Sequence, residues 1–204
     1  LIDWLLEKVA EHKVDAVLIA GDIFDTGAPP SYARELYSQL VVRLREAHVG
    51  LLLLGGNHDS VAVLDESRAL LACLGTTVVA AAADPAGQVC VLPRRAGEAG
   101  CVVCAIPFIR PRDVLFSQAG QSAEEKQLSL QVAIKAHYQT VFDAASARRS
   151  ALAANLGRTL PLIATGHLTT VGASASESVR EIYVGALEAF PTNAFPPADY
   201  IALG

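Results

Sequence analysis

At three points in the chain a glycine precedes side chains that can hold a cation or move a proton: Gly21-Asp22, Gly56-Asn57-His58 and Gly166-His167. A carboxylate, an amide oxygen and an imidazole together offer hard oxygen and borderline nitrogen, a donor set that suits Mn²⁺, iron or Zn²⁺ better than a thiolate-selective metal. A bound dication would also offset the burial of Asp22, which is costly unless the charge is paired. Taken singly, each glycine with its polar neighbour is also an ordinary turn. The chemical reading draws its weight from the recurrence, because each pair closes an apolar run.

Those runs are "DAVLIA" at 15 to 20, "GLLLL" at 50 to 54 and "PLIATGH" at 161 to 167, each reading as a short buried strand. Leu1, Ile2, Leu5, Leu6 and Val9 recur at helical spacing ahead of the first, and an amphipathic helix over Ser31 to Ala47 lies ahead of the second. Helix and strand thus alternate as in a parallel sheet. A further helix is expected over Asp65 to Leu74, followed by β-like runs at 76 to 80, 88 to 92 and 101 to 106 that fit a second, partly antiparallel sheet. Ser122 and Glu125 have capping-box spacing before a long helix carrying Leu128, Leu130, Val132 and Ile134 and running to about Arg149. "ADYIALG" reads as a last strand. In open α/β sheets ligands bind beyond the carboxyl ends of the strands, so Asp22, Asn57 and His167 are expected to converge.

With 52% hydrophobic and 18% charged residues over 204 positions, the chain has the composition of one well-filled core. The longest apolar stretches, such as Val49 to Leu54, fall well short of the ~20 residues of a membrane span, and the start lacks a secretory leader pattern. No membrane association and a cytoplasmic address are expected. A net charge of −5 argues against a grip on nucleic acid through global basicity, leaving local stripes such as Arg110 and Arg112. Arg94 with Arg95 and Arg148 with Arg149 read as solvated surface. Cys101 and Cys104 form a C-x-x-C, but residues three apart on a strand point to opposite faces, so core thiols are the expectation. His12, His48 and His137 read as surface or end-of-helix residues. The lack of methionine and the uncapped helix at Leu1 imply a piece of a longer protein.

"GDIFD" at 21 to 25, "GNHD" at 56 to 59 and "GH" at 166 to 167 resemble successive motifs of the calcineurin-like metallophosphoesterases. "GDIFDTGAPPSYARELY", "GNHDSVAVLDESR", "IPFIRPRD", "TGHLTTVGAS" and "FPPADYIALG" are similar, in order, to the SbcD-type nuclease branch of that superfamily. The resemblance implies a four-layer α/β/β/α sandwich, forming one domain over residues 1 to 204 truncated at both ends. It implies two divalent metal ions, with Mn²⁺ the expected metal, Asp22 as bridging carboxylate, and Asn57 and His167 as further ligands. His58 would stand outside the metals and serve the leaving oxygen, with the Asp25 carboxylate orienting its ring and Asp59 the rival for that job or a loop cap. The remaining ligands would lie before Leu1 and after Gly204, Gly204 itself matching the glycine of the last motif. Implied partners are DNA, cut as a double-strand exonuclease and single-strand endonuclease, an SbcC-type ATPase subunit, and a second copy docked through Ser31 to Ala47 and Asp65 to Leu74. The alternatives are a metallophosphoesterase acting on another phosphoester and a non-catalytic dimerisation scaffold. Thr26-Gly27 and Asp59, where protein phosphatases of the superfamily carry Arg-Gly and Glu, favour the nuclease.

Overall fold

A computed structural model describes residues 1–82, 84–115, 122–171 and 190–204. The last residues of "TGHLTTVGAS" lie outside this set. In chain order the first elements are α1 (Ile2–Glu11), β1 (Ala16–Ala20), α2 (Ser31–Glu46), β2 (Gly50–Leu54), α3 (Val61–Asp65), α4 (Arg68–Cys73) and β3 (Thr76–Val79). They build a parallel three-stranded sheet in the order β1-β2-β3, with Leu18 opposite Leu52 and Leu53 opposite Val78. The second half gives β4 (Val89–Pro93), β5 (Ala99–Cys104), α5 (Pro111–Val114), α6 (Ala123–Leu156), β6 (Leu162–Gly166), β7 (Thr170–Val171), β8 (Phe190–Pro191) and β9 (Tyr200–Leu203). Its four-stranded sheet runs β4-β5-β6-β9, antiparallel only between β4 and β5, and β7 pairs with β8 apart from it.

Side-chain alternation along β2 and β5 sorts the apolar residues into three interlayer cores. Leu51 and Leu53 face the helices, packing with Val9, Val41, Leu44, Leu64 and Leu71. Leu52 and Leu54 face the other sheet and meet Leu92, Val103 and Ala105. On the far side of the second sheet, Val102, Cys104, Leu162 and Ala164 pack against Leu130, Ile134, Tyr138, Val141 and Ala145 of α6. Helices, sheet, sheet and helix therefore stack as the α/β/β/α sandwich that the resemblance implies. Among the described residues, no helix is long and apolar enough to cross a membrane.

Three expectations need correction. The helix expected over Asp65 to Leu74 is two shorter ones, because the Ser60 hydroxyl caps an earlier start by accepting from the Val63 amide and the chain breaks at Glu66–Ser67. The long helix begins at the expected capping box but continues to Leu156, where Gly157 at φ 67° closes it. On that helix Leu128 and Val132 are exposed, while His137 is buried and its Nε2 pairs with Gln88 Oε1 at 2.9 Å. The spacing of Leu130, Ile134, Tyr138 and Val141 defines the core stripe, and His137 lies beside it.

Candidate functional site

The site forms where β1, β2 and β6 end. After β1 the backbone turns through Gly21 at φ 104° and Asp22 at φ 49°, a left-handed pair that glycine and aspartate tolerate. A Cβ on Gly21 would overlap the His167 ring, and one on Gly56 would overlap the Asp22 backbone nitrogen and carboxylate. Both glycines are thus required by close approach between strand ends.

His167 stands at the centre, only 11% of its side chain exposed. Its Nδ1 lies 2.8 Å from the Ala20 carbonyl oxygen, which can only accept, so that nitrogen carries the proton. Its Nε2 then turns to Asn57 Oδ1 at 2.9 Å and to Asp22 Oδ2 at 3.4 Å. Two oxygens with lone pairs thus face a ring nitrogen, an arrangement that a positive charge between them satisfies. Asp22 is not buried as the sequence suggested, since it lies just past the end of β1 at the sheet edge and 39% of its side chain is exposed; its Oδ1 accepts from the His58 amide at 3.2 Å, linking the loops after β1 and β2. This donor set fits a hard or borderline dication. The described residues contain no group of three His, Cys, Asp or Glu placed to hold a metal, since the amide of Asn57 supplies the third donor here.

His58 is held differently. Its Nδ1 lies 3.1 Å from the backbone carbonyl of Asp25, so the backbone rather than the Asp25 carboxylate sets that ring. Asp59 is buried, and its carboxylate accepts from the amides of Ile23 at 3.0 Å, Phe24 at 2.9 Å and Gly56 at 2.8 Å. This is the loop-capping role, carried across two strand ends. Nearby, burial and then the charge of Asp59 push the Tyr37 hydroxyl up to about 12.

The loop after β5 also reaches the site, a contribution that the strand-end pattern does not reveal. Phe108 donates its amide to the Gly55 carbonyl at 2.8 Å and sets its ring at 82° to that of His167, centroids 6.2 Å apart. Arg110 lies over the Phe108 ring at 5.6 Å, and its Nη2 donates to the carbonyls of Gly56 at 3.1 Å and Asp59 at 3.0 Å. The sequence signals this loop through the "IPFIRPRD" block and through Arg110 and Arg112 within it, read there as a basic stripe. Arg112 is exposed beside Asp113, Arg94 pairs with Glu98, and Arg149 pairs with Asp199. Arg95 donates to the carbonyls of Val14 and Val9 and so ties the β4–β5 hairpin to α1.

The family model of the calcineurin-like phosphoesterases matches residues 1–176. The chain is 56% identical over 203 residues to the SbcD component of the SbcCD nuclease of Escherichia coli strain K12, covering all of this chain and 48% of that protein. Its identity to the protein of the same name from Rhodobacter capsulatus is 35% over 208 residues, covering 97% of this chain and 49% of that one. The chain spans about half the length of the curated relatives it matches. Since the match runs over most of its length and the strand ends carry the matching constellation, the chain belongs to the calcineurin-like phosphoesterase family.

Proposed function

We propose that this chain is the phosphoesterase part of a metal-dependent DNA nuclease subunit that works in the cytoplasm with an SbcC-type ATPase and as a homodimer. The observation that carries the reading is the approach of Asn57 Oδ1 and Asp22 Oδ2 to His167 Nε2, at 2.9 Å and 3.4 Å, with the His58 amide bonded to the same Asp22 carboxylate. The likeness to proteins named as nuclease subunits supports DNA as the substrate. Phosphodiester cleavage needs the anionic phosphate screened, and divalent cations held by Asp22, Asn57 and His167, two Mn²⁺ in this proposal, would screen it and supply a water-derived nucleophile at neutral pH.

The chain's own residues then divide the remaining work. Asp22 links two loops through the His58 amide while leaving Oδ2 for a cation. The Ala20 carbonyl fixes the His167 tautomer and so aims the Nε2 lone pair, the usual role of a backbone partner behind a metal-binding imidazole. Because the Asp25 carbonyl occupies His58 Nδ1, proton exchange with substrate falls to Nε2, which as a general acid protonates the leaving oxygen.

The test measures metal content and single-turnover cleavage of duplex DNA on the same preparations of the intact protein. His58→Gln should keep Mn²⁺ near normal and slow cleavage by roughly 10²–10⁴-fold. Asp22→Asn should lower both together. Asp25→Asn keeps the backbone carbonyl, so cleavage should stay within about threefold, unlike the ~10–100-fold of a lost carboxylate partner. Loss of metal in His58→Gln as complete as in Asp22→Asn would make His58 a ligand and overturn the division of roles.

A further inference from the structure

We infer that Arg110 is a positioning residue that fixes the turn from Gly56 to Asp59, and with it Asn57 and His58; the inference rests on the functional reading of those two side chains. Three observations meet in it. A single nitrogen, Nη2, donates to the carbonyls at both ends of the turn, Gly56 and Asp59. The guanidinium lies against the Phe108 ring, which also meets the ring of His167, so one short segment touches the loop after β2 and the loop after β6 together. The Arg110 amide in turn donates to Asp113 Oδ2 at 3.1 Å, which holds the segment's own backbone at the start of α5.

The turn is therefore gripped from two sides. The carboxylate of Asp59 collects amide protons from Ile23, Phe24 and Gly56, while Arg110 collects carbonyl oxygens. Among the described residues, Nη1 of Arg110 is buried without a hydrogen-bond partner. A planar guanidinium can lie flat on an aromatic ring while bonding carbonyls at its edge, which the compact ammonium of lysine cannot do. A loose surface arginine that meets DNA phosphates would show none of this: its charge would face solvent, whereas here it is spent on the backbone of the site.

The experiment uses the intact protein with Arg110→Met and Arg110→Lys, read by amide hydrogen exchange, by calorimetric titration with Mn²⁺ alone, and by kcat and KM on duplex DNA. Arg110→Met should speed exchange of the Gly56–Asp59 amides by about tenfold or more while those of β5 and α6 keep their protection. Mn²⁺ affinity should fall about 10–100-fold, as for other residues that orient a ligand from behind, with KM for DNA within about threefold. Arg110→Lys should lie between the two, and it carries the same readouts if Arg110→Met fails to fold. Wild-type exchange in the turn overturns the inference, as does faster exchange with unchanged Mn²⁺ affinity. A raised KM with kcat and Mn²⁺ unchanged also overturns it, making Arg110 a phosphate contact. If the wild-type protein takes up no Mn²⁺, the functional reading falls, and the exchange result alone decides whether Arg110 holds the turn.

Discussion

Cys101 and Cys104 lie three positions apart in the sequence, whereas Asp22, Asn57 and His167 are spread over most of the chain, yet it is the distant set that meets. On β5 the alternation of side chains sends Cys104 into the core against α6 and Cys101 into the core between the sheets. Burial pushes the Cys104 thiol up to about 12 and raises that of Cys101, so both stay protonated. The three strand ends escape that alternation. β1 and β2 are parallel neighbours that end at one edge, β6 of the second sheet ends beside them, and whatever follows the last ladder residue is free to turn inward. Ligand-type residues inside a strand are thus divided by the pleat, and those just past it are gathered.

The sharpest way to break this contrast is at Asp59. Asp59→Ala leaves three amides without their acceptor, and unfolding by denaturant should show a loss of about 3–5 kcal/mol. Gly56→Ala forces a methyl onto Asp22 and should cost about 1–3 kcal/mol by the same measurement, together with weaker Mn²⁺ uptake. The cysteine side of the comparison should respond with packing alone. Cys104→Ala should lose about 1 kcal/mol, and Cys101→Ala less, with metal content by elemental analysis unchanged in both.

The smallest effect concerns His137, a third ligand-type side chain that the fold turns away from the site. Burial holds its imidazole below the ordinary value, outweighing the opposing pull of Asp113. Below about pH 6.5 the unfolded chain therefore binds more protons at this position than the folded one, and stability falls as the pH drops through that range. His137→Gln should flatten this part of the stability profile, which thermal unfolding between pH 7 and pH 5 would show.

Much of this was legible in the residues because it obeys local rules. Apolar runs closed by glycine marked β1, β2 and β6, and Ser122 with Glu125 marked the start of α6. The meeting of the ends of β1 and β2 followed from their parallel pairing, whereas β6 belongs to the other sheet and brings His167 to the same edge through the stacking of the two sheets. What could not be read depends on tertiary contacts without a linear signature. His137 looks like any polar residue on a helix until Gln88 arrives from elsewhere in the chain. The Asp25 carbonyl is invisible as a partner because a sequence displays side chains, and it is a backbone atom that reaches His58. Asp59 could be read as a loop cap, but its three donors from two loops could not be foreseen.

His167 reaches back across 147 positions to the Ala20 carbonyl and across 110 to Asn57. Contacts of such separation carry a large loop-closure cost and form slowly. The parallel sheet of the first half can bring Asp22 and the His58 amide together by itself, but the imidazole arrives only when the second sheet docks. If the proposed site holds a cation, its uptake should therefore be a late event in folding, a property of the assembled molecule rather than of either half. Followed in time after dilution from denaturant, Mn²⁺ binding would report the moment at which the two halves of the chain first meet.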